Sequence, residues 1–514
     1  MKGFQIQQKG ERRISAALRI MLVVVLLAVQ IGFVVAISYF MQEYLALAYG
    51  VVQVGALFLA VHIYNEPGEL SYKLIWFILL LLAPPVGMIL WFLWGGAAQK
   101  RHLPRNTKRF PDEPESVRMR SEIAVDKLTR QLPAWARTAN YLCRRDFQLY
   151  QNTSVTYLPE GAILLRNLID RAAKAERFIF LEYFILAEGK LWDELEKILC
   201  AKAREGVEVK IIFDDFGNIK RFSGETIDRL REVGVEVFIF NPVHEYVNRL
   251  HFNYRDHRKI DGDVAYTGGV NIADEYANII ERFGYWKDSG VCLEGEGVWG
   301  LTASFIRMCV NLGGVMHNEH DYYRPHTPVK SEGFCQPFTD GPQNNPDNPA
   351  EDVFLQMISG ARHFLYITTP YFIPDESLMR ALCIAGDGGV DVRLMLPGKP
   401  DHWYADCVAE SYFGELIKHG VKVYRYTPGF LHGKSIMVDR EAAFVGSANM
   451  DYRSFELDYE CGVMVYSAPM IESLLEDMDM IVDHSRLVTK EEWAKRSVLR
   501  RVFEPLLRLF AIWM

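Results

Sequence analysis

The chain has 514 residues, more than one hydrophobic core ordinarily organises, so at least two globular units are expected. Half of the residues are hydrophobic and 24% are charged, which excludes a disordered chain and suits one that lies partly in lipid and partly in water. The net charge of −8 conceals basic residues beside the N-terminal apolar segments, a pattern that favours anionic lipid over nucleic acid as a partner.

Three uncharged apolar segments occupy the N-terminal region, at residues 20–41, 44–64 and 74–98. Because about 20 apolar residues span a bilayer as a helix, residues 1–98 are predicted to be a transmembrane region. Pro84 and Pro85 are expected to kink the third segment. Basic residues flank both ends of the region, which leaves the orientation and a re-entrant segment open. We expect a multi-pass protein of the cell membrane with its catalytic part in the cytoplasm.

After a charged linker at residues 99–150, strand patterns alternate with helical patterns, which predicts α/β units. Segments recur in one order: AILLRNLIDRAAKA and DVFLQMISGA, RFIFLEYFIL and HFLYITTPYFI, GVEVKIIFDD and GVDVRLMLPG, GVEVFIFNP and GVKVYRYTP, HRKIDGDVAYTGGVN and HGKSIMVDREAAFVGSAN. We predict two homologous α/β units, 151–330 and 331–490, with central mixed sheets packed pseudo-symmetrically around a shared site. The amphipathic segment 491–514 is expected to lie at the bilayer or against the globular core.

The last pair of repeated segments carries the residues best suited to catalysis. Two imidazoles, two ammonium groups and two amides recur at matching places, namely His257, Lys259, Asn271, His432, Lys434 and Asn449. Histidine and lysine alternate on each strand, so their side chains leave the same face. Lysine and asparagine donors would neutralise phosphoryl oxygens without a metal, while one histidine attacks phosphorus and the other protonates the leaving alcohol.

The second copy reproduces an HxKxxxxD signature and a GSxN turn through His432, Lys434, Asp439, Gly446, Ser447 and Asn449. With LEYFI, TPYFIPD and NMDYRSFELDYE as well, the chain resembles the bacterial cardiolipin synthases of the phospholipase D superfamily nearly end to end. The resemblance implies that two phosphatidylglycerols become cardiolipin and glycerol through a phosphohistidine, without a cofactor. It assigns the nucleophile to His257, with His432 as the open alternative. It also implies that Glu460 and Asp288 orient histidines.

The first copy departs from this pattern within its strand. Only Ile260 separates Lys259 from Asp261, whereas four residues separate Lys434 from Asp439. Losing three strand residues reverses the facing of whatever follows unless a bulge absorbs the change, so reduced activity is expected. The two aspartates complete the motifs, and their position after the strand favours a structural role. A hydrolytic phospholipase D and a lipid-binding pseudoenzyme are the alternative functions.

Metal binding is not expected from the sequence. The eight cysteines show no CxxC spacing, which argues against a zinc ribbon and against a disulfide framework. His317 and His320 imitate metal ligands, but no further ligands stand near them in the sequence. The expected partners are phosphatidylglycerol and other membrane phospholipids, with no nucleic acid and no metal required.

Overall fold

The computed structural model describes residues 25, 28, 32, 45–66, 70–95, 115–242, 255–256, 264–317, 320–325, 329–342 and 347–508. Chain contacts separate an N-terminal unit, Met1–Arg105 with Asn241–Asn253, from a main unit, Asn106–Phe240 with Tyr254–Met514. The main unit contains both predicted α/β units except residues 241–253; they are called the first half (151–330) and the second half (331–490) below.

The described part of the N-terminal unit is helical, with α1 (Leu45–Asn65), α2 (Leu70–Leu82) and α3 (Pro84–Trp94). Proline begins α3 because the first helical position needs no N–H donor, and α2 has ended just before it. The rings of Trp76 and Trp91 lie 5.1 Å apart, so α2 and α3 fold back on each other. The predicted segment 74–98 is therefore two helices, about 20 and 17 Å long, and not one kinked span.

The predicted transmembrane helices are not confirmed as spans. Segment 20–41 lies outside the described residues except at positions 25, 28 and 32, whereas α1 covers most of segment 44–64. Within the part of the chain that the structure describes, no helix combines the length and the apolarity that crossing a membrane requires.

The main unit alternates helices and strands, as its sequence pattern predicted. Its helices are α4 (Glu115–Gln131), α5 (Ala136–Cys143), α6 (Gly161–Ala172), α7 (Lys190–Arg204), α8 (Asp215–Asn218), α9 (Gly224–Glu232), α10 (Val298–Asn311), α11 (Pro349–Gly360), α12 (Glu376–Asp387), α13 (Trp403–Lys418), α14 (Tyr452–Glu456), α15 (Met470–Asp483), α16 (Lys490–Ala494) and α17 (Val498–Arg508). Helices α4 and α5 lie in the stretch predicted as a linker.

Strands of both halves supply the sheets. They are β1 (Thr153–Leu158), β2 (Phe178–Tyr183), β3 (Glu208–Asp214), β4 (Glu236–Phe240), β5 (Arg255–Asp256), β6 (Val264–Gly268), β7 (Tyr285–Lys287), β8 (Gly290–Gly295), β9 (Phe334–Asp340), β10 (Phe364–Thr368), β11 (Phe372–Ile373), β12 (Asp391–Pro397), β13 (Lys422–Tyr426), β14 (Gly429–Leu431), β15 (Ser435–Val438), β16 (Ala442–Gly446), β17 (Met450–Asp451), β18 (Asp458–Tyr466) and β19 (Ser485–Leu487).

The two halves repeat one sheet pattern. In the second half, β10, β12 and β13 are parallel, and β15 joins them to the antiparallel strands β16, β18 and β9. In the first half, β2, β3 and β4 are parallel, and β1, β8 and β6 are antiparallel. The stretch that matches β15, residues 257–263, lies outside the described residues. The mixed α/β fold is confirmed, with one large mixed sheet.

The hydrophobic core joins the halves, because one buried cluster contains apolar side chains of both. Phe180 of β2 stacks on Phe305 of α10 at 4.4 Å, and both belong to a buried cluster that also holds Met437 of the second half. At the C-terminus, Arg500 of α17 binds Glu410 of α13 at 2.9 Å. The described part of the amphipathic segment 491–514 therefore packs against the globular core, one of the two predicted outcomes.

Candidate active site

A short parallel ribbon of β7 and β14 links the halves beside the predicted site. Trp286 pairs with Phe430, and Lys287 pairs with Leu431. One residue later the backbone N–H of His432 donates to the carbonyl of Lys287 at 2.7 Å. Because the strands are parallel and in register, the residues that follow them leave the ribbon side by side.

His432 and Asp288 are these two residues, and they form a hydrogen bond across the halves. Nδ1 of His432 lies 2.6 Å from Oδ2 of Asp288. The carboxylate is fully buried, whereas the imidazole retains 12% of its side-chain exposure, so its other edge can meet a ligand. A carboxylate that accepts the Nδ1 proton fixes the tautomer in which Nε2 carries the lone pair.

Lys434 completes the charged part of the site. Its Nζ lies 3.0 Å from Nδ1 and 3.1 Å from Nε2 of His432, and it donates to the carbonyl of His432 at 2.6 Å. Burial and the charge of Lys434 lower the pKa of His432 to about 4, although Asp288 acts in the opposite direction. Burial would raise the pKa of Asp288, but His432 and Lys434 hold it below its usual value. At neutral pH the imidazole is neutral beside a carboxylate and an ammonium group.

Aromatic rings surround the imidazole and exclude water from its inner side. The ring centroids of Trp286, Tyr276 and Phe430 lie 5.3, 5.5 and 5.6 Å from that of His432. Sequence reasoning did not identify these residues. Phe430 could have been found, because two-residue alternation places it on the strand face of His432, and Trp286 stands two positions before Asp288. No local pattern marks Tyr276.

The glycine turn of the first half fits closely against this pair. A Cβ atom on Gly269 would lie 2.1 Å from Oδ1 of Asp288 and 2.8 Å from the carbonyl oxygen of His432. The Gly269 N–H donates to the carbonyl of Ser289 at 3.1 Å. The TGGVN segment therefore contributes a close backbone approach, which a larger residue would prevent.

The predicted supporting residues of the second half are buried, with Ser447 and Asn449 in the turn between β16 and β17 and Glu460 on β18. The hydroxyl of Ser447 binds the carboxylate of Glu460 and receives the N–H of Cys461 at 3.0 Å. The Asn449 side chain is 6% exposed, and its Oδ1 accepts no hydrogen bond from the described residues.

Of the residues predicted in the first copy, Asn271 lies within the described part of the chain. His257, Lys259 and Asp261 lie outside the described residues. Asn271 is buried, where its Nδ2 donates to the Tyr276 hydroxyl at 2.8 Å and its Oδ1 accepts from the Ile185 N–H at 3.2 Å. Its amide therefore holds the ring that contacts His432, a structural use that the predicted phosphate role did not include.

Asp439 directly follows β15, and its side chain accepts hydrogen bonds from backbone N–H groups. Its carboxylate accepts hydrogen bonds from the N–H groups of Arg362, His363 and Phe364, at 2.7, 2.9 and 2.8 Å. It stands five residues after Lys434, with the four residues of β15 between them, which is about 17 Å along a strand. The motif placed Asp439 among the catalytic residues, whereas these contacts support the structural role that its position favoured.

Replacing Asp439 by Ala is expected to lower the free energy of unfolding by about 1–3 kcal/mol, because three N–H groups lose their acceptor. Asp439 also adopts a φ of 51°, which Ala tolerates poorly. Asp439→Asn is the matched variant, since asparagine keeps one acceptor and accepts this conformation. Thermal unfolding should show a larger loss of stability for Asp439→Ala than for Asp439→Asn. The reaction rate per folded molecule should stay within a few-fold of that of the unmodified protein for both variants. A large rate loss in fully folded Asp439→Asn would contradict the structural role.

Potential metal ligands gather elsewhere in the second half. Among the described residues, Cys383, Glu415 and His419 bring their ligand atoms within 4.8 Å of one another. His419 is also bonded to Asp387 at 2.7 Å on the surface. His317 lies beside Glu208, 3.9 Å from its carboxylate, and is 59% exposed.

Two family models match the chain. Residues 354–482 match "Cardiolipin synthase, PLD-like domain", which covers His432, Lys434 and Glu460. Residues 54–96 match "Phospholipase_D-nuclease N-terminal", which covers most of the described N-terminal helices.

Similar proteins extend the match over most of the chain. A cardiolipin synthase of Halalkalibacterium halodurans is 33% identical over 92% of this chain and 95% of that protein. The major cardiolipin synthase ClsA of Bacillus subtilis is 32% identical over 87% of this chain and 95% of that protein. An uncharacterized protein of Streptococcus mutans is 38% identical over 73% and 81%. A crystal structure of phosphatidylserine synthase from Haemophilus influenzae shares the fold, with a TM-score of 0.54 and 15% identity. The match covers 72% of this chain and 97% of that chain.

Proposed function

This chain belongs to the bacterial cardiolipin synthases of the phospholipase D superfamily, and we propose that it joins two phosphatidylglycerol molecules into cardiolipin and glycerol. The observation that carries the proposal is the imidazole of His432 on buried Asp288, with Lys434 beside it. A neutral nitrogen nucleophile next to an ammonium group suits an anionic phosphodiester. The reaction is therefore a phosphatidyl transfer.

The transfer takes two displacements at phosphorus. In the first, Nε2 of one histidine attacks, the bond from phosphorus to the glycerol oxygen breaks, and the other histidine protonates the departing glycerol. In the second, that histidine accepts the hydroxyl proton of the second phosphatidylglycerol, the new phosphorus–oxygen bond forms, and the phosphorus–nitrogen bond breaks. Both histidines return to their initial states. Lys434 and Asn449 bind the phosphoryl oxygens, whose negative charge increases in the transition state.

Purified full-length enzyme in vesicles of phosphatidylglycerol tests the proposal directly. We expect cardiolipin and glycerol in equal amounts, measured by mass. Phosphatidic acid without cardiolipin would instead identify a hydrolytic phospholipase D, in which water replaces the acceptor. Absence of any product would identify a lipid-binding pseudoenzyme. Either of these results would overturn the synthase function.

If His432 is the nucleophile, the pH dependence should show that its imidazole is neutral in the free enzyme. Because the pKa of His432 lies at about 4, it loses its lone pair only below that pH. We expect the acid limb of kcat/KM, which reports the free enzyme, near pH 4 and well below the ordinary histidine value of about 6.5. An acid limb at the ordinary value, measured in vesicles of constant composition, would mean that His432 is not held neutral by its surroundings.

The division of labour between the two histidines can be measured. The resemblance assigns the nucleophile to His257, whereas the low pKa and the Asp288 hydrogen bond support His432 in that role. After denaturing quench, mass spectrometry should find a phosphatidyl adduct on the nucleophile. Replacing the nucleophile by Ala removes the adduct, whereas replacing the acid–base histidine leaves an adduct that forms slowly and persists.

We propose that the shortened first motif limits the rate. Its missing residues fall between Lys259 and Asp261, a stretch outside the described residues. Inserting three apolar residues after Ile260 restores the spacing of the second copy and is expected to raise kcat. Insertion of three residues in the linker before residue 115 is the control. An unchanged or lower rate in correctly folded protein would show that the first half already functions as it stands.

We further propose that the N-terminal unit holds the enzyme in the cell membrane as a multi-pass anchor, with the main unit in the cytoplasm. Large apolar side chains on α1 are exposed, including Leu47, Val51, Leu57 and Phe58. Such a surface is expected against lipid and is rare against water. Protein that resists alkaline extraction from membranes, with a fluorescent C-terminal reporter, would support this arrangement. Release into the soluble fraction would contradict it.

A further inference from the structure

The residue before Asp288 makes a buried contact that the mechanism does not use. Nζ of Lys287 lies 2.5 Å from Oδ1 of Asp477 and donates to the carbonyl of Pro159 at 2.5 Å. The two charged side chains are only 9% and 2% exposed. Lys287 belongs to the first half and Asp477 to α15 of the second half, so the ion pair crosses between the halves.

The same carboxylate also reaches the residue after Asp288. Oδ2 of Asp477 accepts a hydrogen bond from the hydroxyl of Tyr157 at 2.8 Å. That hydroxyl also interacts with the side chain of Ser289. Lys287 and Ser289, the two neighbours of Asp288, are therefore both connected to Asp477, directly on one side and through Tyr157 on the other.

The backbone at these neighbours holds the catalytic strands together. The carbonyl of Lys287 receives the N–H of His432 at 2.7 Å, and the carbonyl of Ser289 receives the N–H of Gly269 at 3.1 Å. A shift of this segment would therefore move Asp288 and its partner His432 relative to each other. Their hydrogen bond is 2.6 Å long, and a shift of a few tenths of an ångström would weaken it.

Stability alone does not account for a buried ion pair at this place. Removing two charges from water costs several kcal/mol, and apolar side chains of similar volume often stabilise a fold as well or better. The polar pair instead fixes the relative positions of the segments that it joins, because each of its hydrogen bonds requires a defined geometry. Lys287 donates to Asp477 and to the carbonyl of Pro159, and Asp477 accepts from Lys287 and Tyr157.

We propose that Lys287, Asp477 and Tyr157 form a positioning network that sets Asp288 against His432. None of the three touches the imidazole in a described contact, so they act on the reaction through Asp288. The inference rests on the proposed phosphatidyl transfer and adds positioning residues to it.

Asp477→Asn and Lys287→Met are expected to lower kcat about 10- to 100-fold with KM within about three-fold, as for other groups that orient a catalytic side chain. The acid limb of kcat/KM should also move to lower pH, because Asp288, more than Asp401, raises the pKa of His432 against the effects of burial and of Lys434. Loss of folded protein alone would reduce the rate without moving this limb.

Two further variants separate positioning from stability. Glu504→Gln breaks a comparably buried pair with Arg496, whose side chains are 5% and 12% exposed, away from the site. It should lose stability but keep the kcat and the pH limb of the unmodified enzyme. The double variant Lys287→Met with Asp477→Leu removes both charges, so it should recover thermal stability and retain the low kcat.

Recovery of kcat together with stability in the double variant would overturn the positioning role. An unmoved pH limb in folded Asp477→Asn would do the same. Failure of the proposed function is distinguishable from both, because the unmodified enzyme would then form no cardiolipin from phosphatidylglycerol in the same assay.

Discussion

Cardiolipin formation is expected to fall by about four orders of magnitude or more when His432 is replaced by Ala. In either histidine role, this ring supplies a bond to phosphorus or a proton transfer that no other described side chain at the site can replace. The Asp288 carboxylate and the Lys434 ammonium group would then face each other across an empty space. The rate of cardiolipin production per folded molecule is the relevant measurement, with thermal unfolding recorded in parallel.

His419→Ala is the matched control for this variant. His419 also binds an aspartate, with 2.7 Å between its Nδ1 and Oδ2 of Asp387, but it lies in the surface pair at the end of α13. Its removal should leave the rate within about two-fold, as is usual for surface substitutions. Substantial activity in folded His432→Ala would rule out a mechanism that requires both histidines.

Asp288→Asn is expected to lower kcat by about three to four orders of magnitude. An asparagine amide can donate to Nδ1, and the imidazole then carries its proton on Nε2, where the lone pair is needed. Asparagine is nearly isosteric, so the close contact with Gly269 remains and the fold is retained. The pH profile adds a second measurement, because loss of the carboxylate moves the acid limb of His432 further down.

Asp387→Asn is the matched control, because it changes the carboxylate of a histidine pair outside the site. It should change neither the rate nor the pH profile. If Asp288→Asn retained most of the activity, the carboxylate would not be fixing the tautomer, and the pairing with His432 would be structural only.

Pairing across the halves gives a physical reason for keeping two copies of one unit in a single chain. Asp288 comes from the first half and orients a histidine of the second half. Glu460 stands in the second half at the corresponding place, so we propose that it orients His257. Under this arrangement neither half forms a complete site alone, and a defect in one copy affects the histidine of the other.

Much of the site could be predicted because its signals are local. Two-residue alternation placed His432 and Lys434 on one face of a strand, and the repeated segments identified both halves before any contact was known. The same alternation and turn signals anticipated the mixed α/β fold. Asp288 and Glu460 were selected as orienting residues from the resemblance, but the sequence did not say which histidine each would meet.

The repeat, the strand faces and the residue types of the motif could be read from the sequence, because each depends on residues that are close together along the chain. The contact of Asp288 with His432, the hydrogen bonds from backbone N–H groups to Asp439, and the ion pair of Lys287 with Asp477 became visible only in the folded structure. Asp288 and His432 stand 144 positions apart, and Lys287 and Asp477 stand 190 apart. Such pairs depend on the register of β7 with β14 and on burial between the halves. The interactions that set this register and burial join segments far apart in the sequence, so no local pattern predicts them.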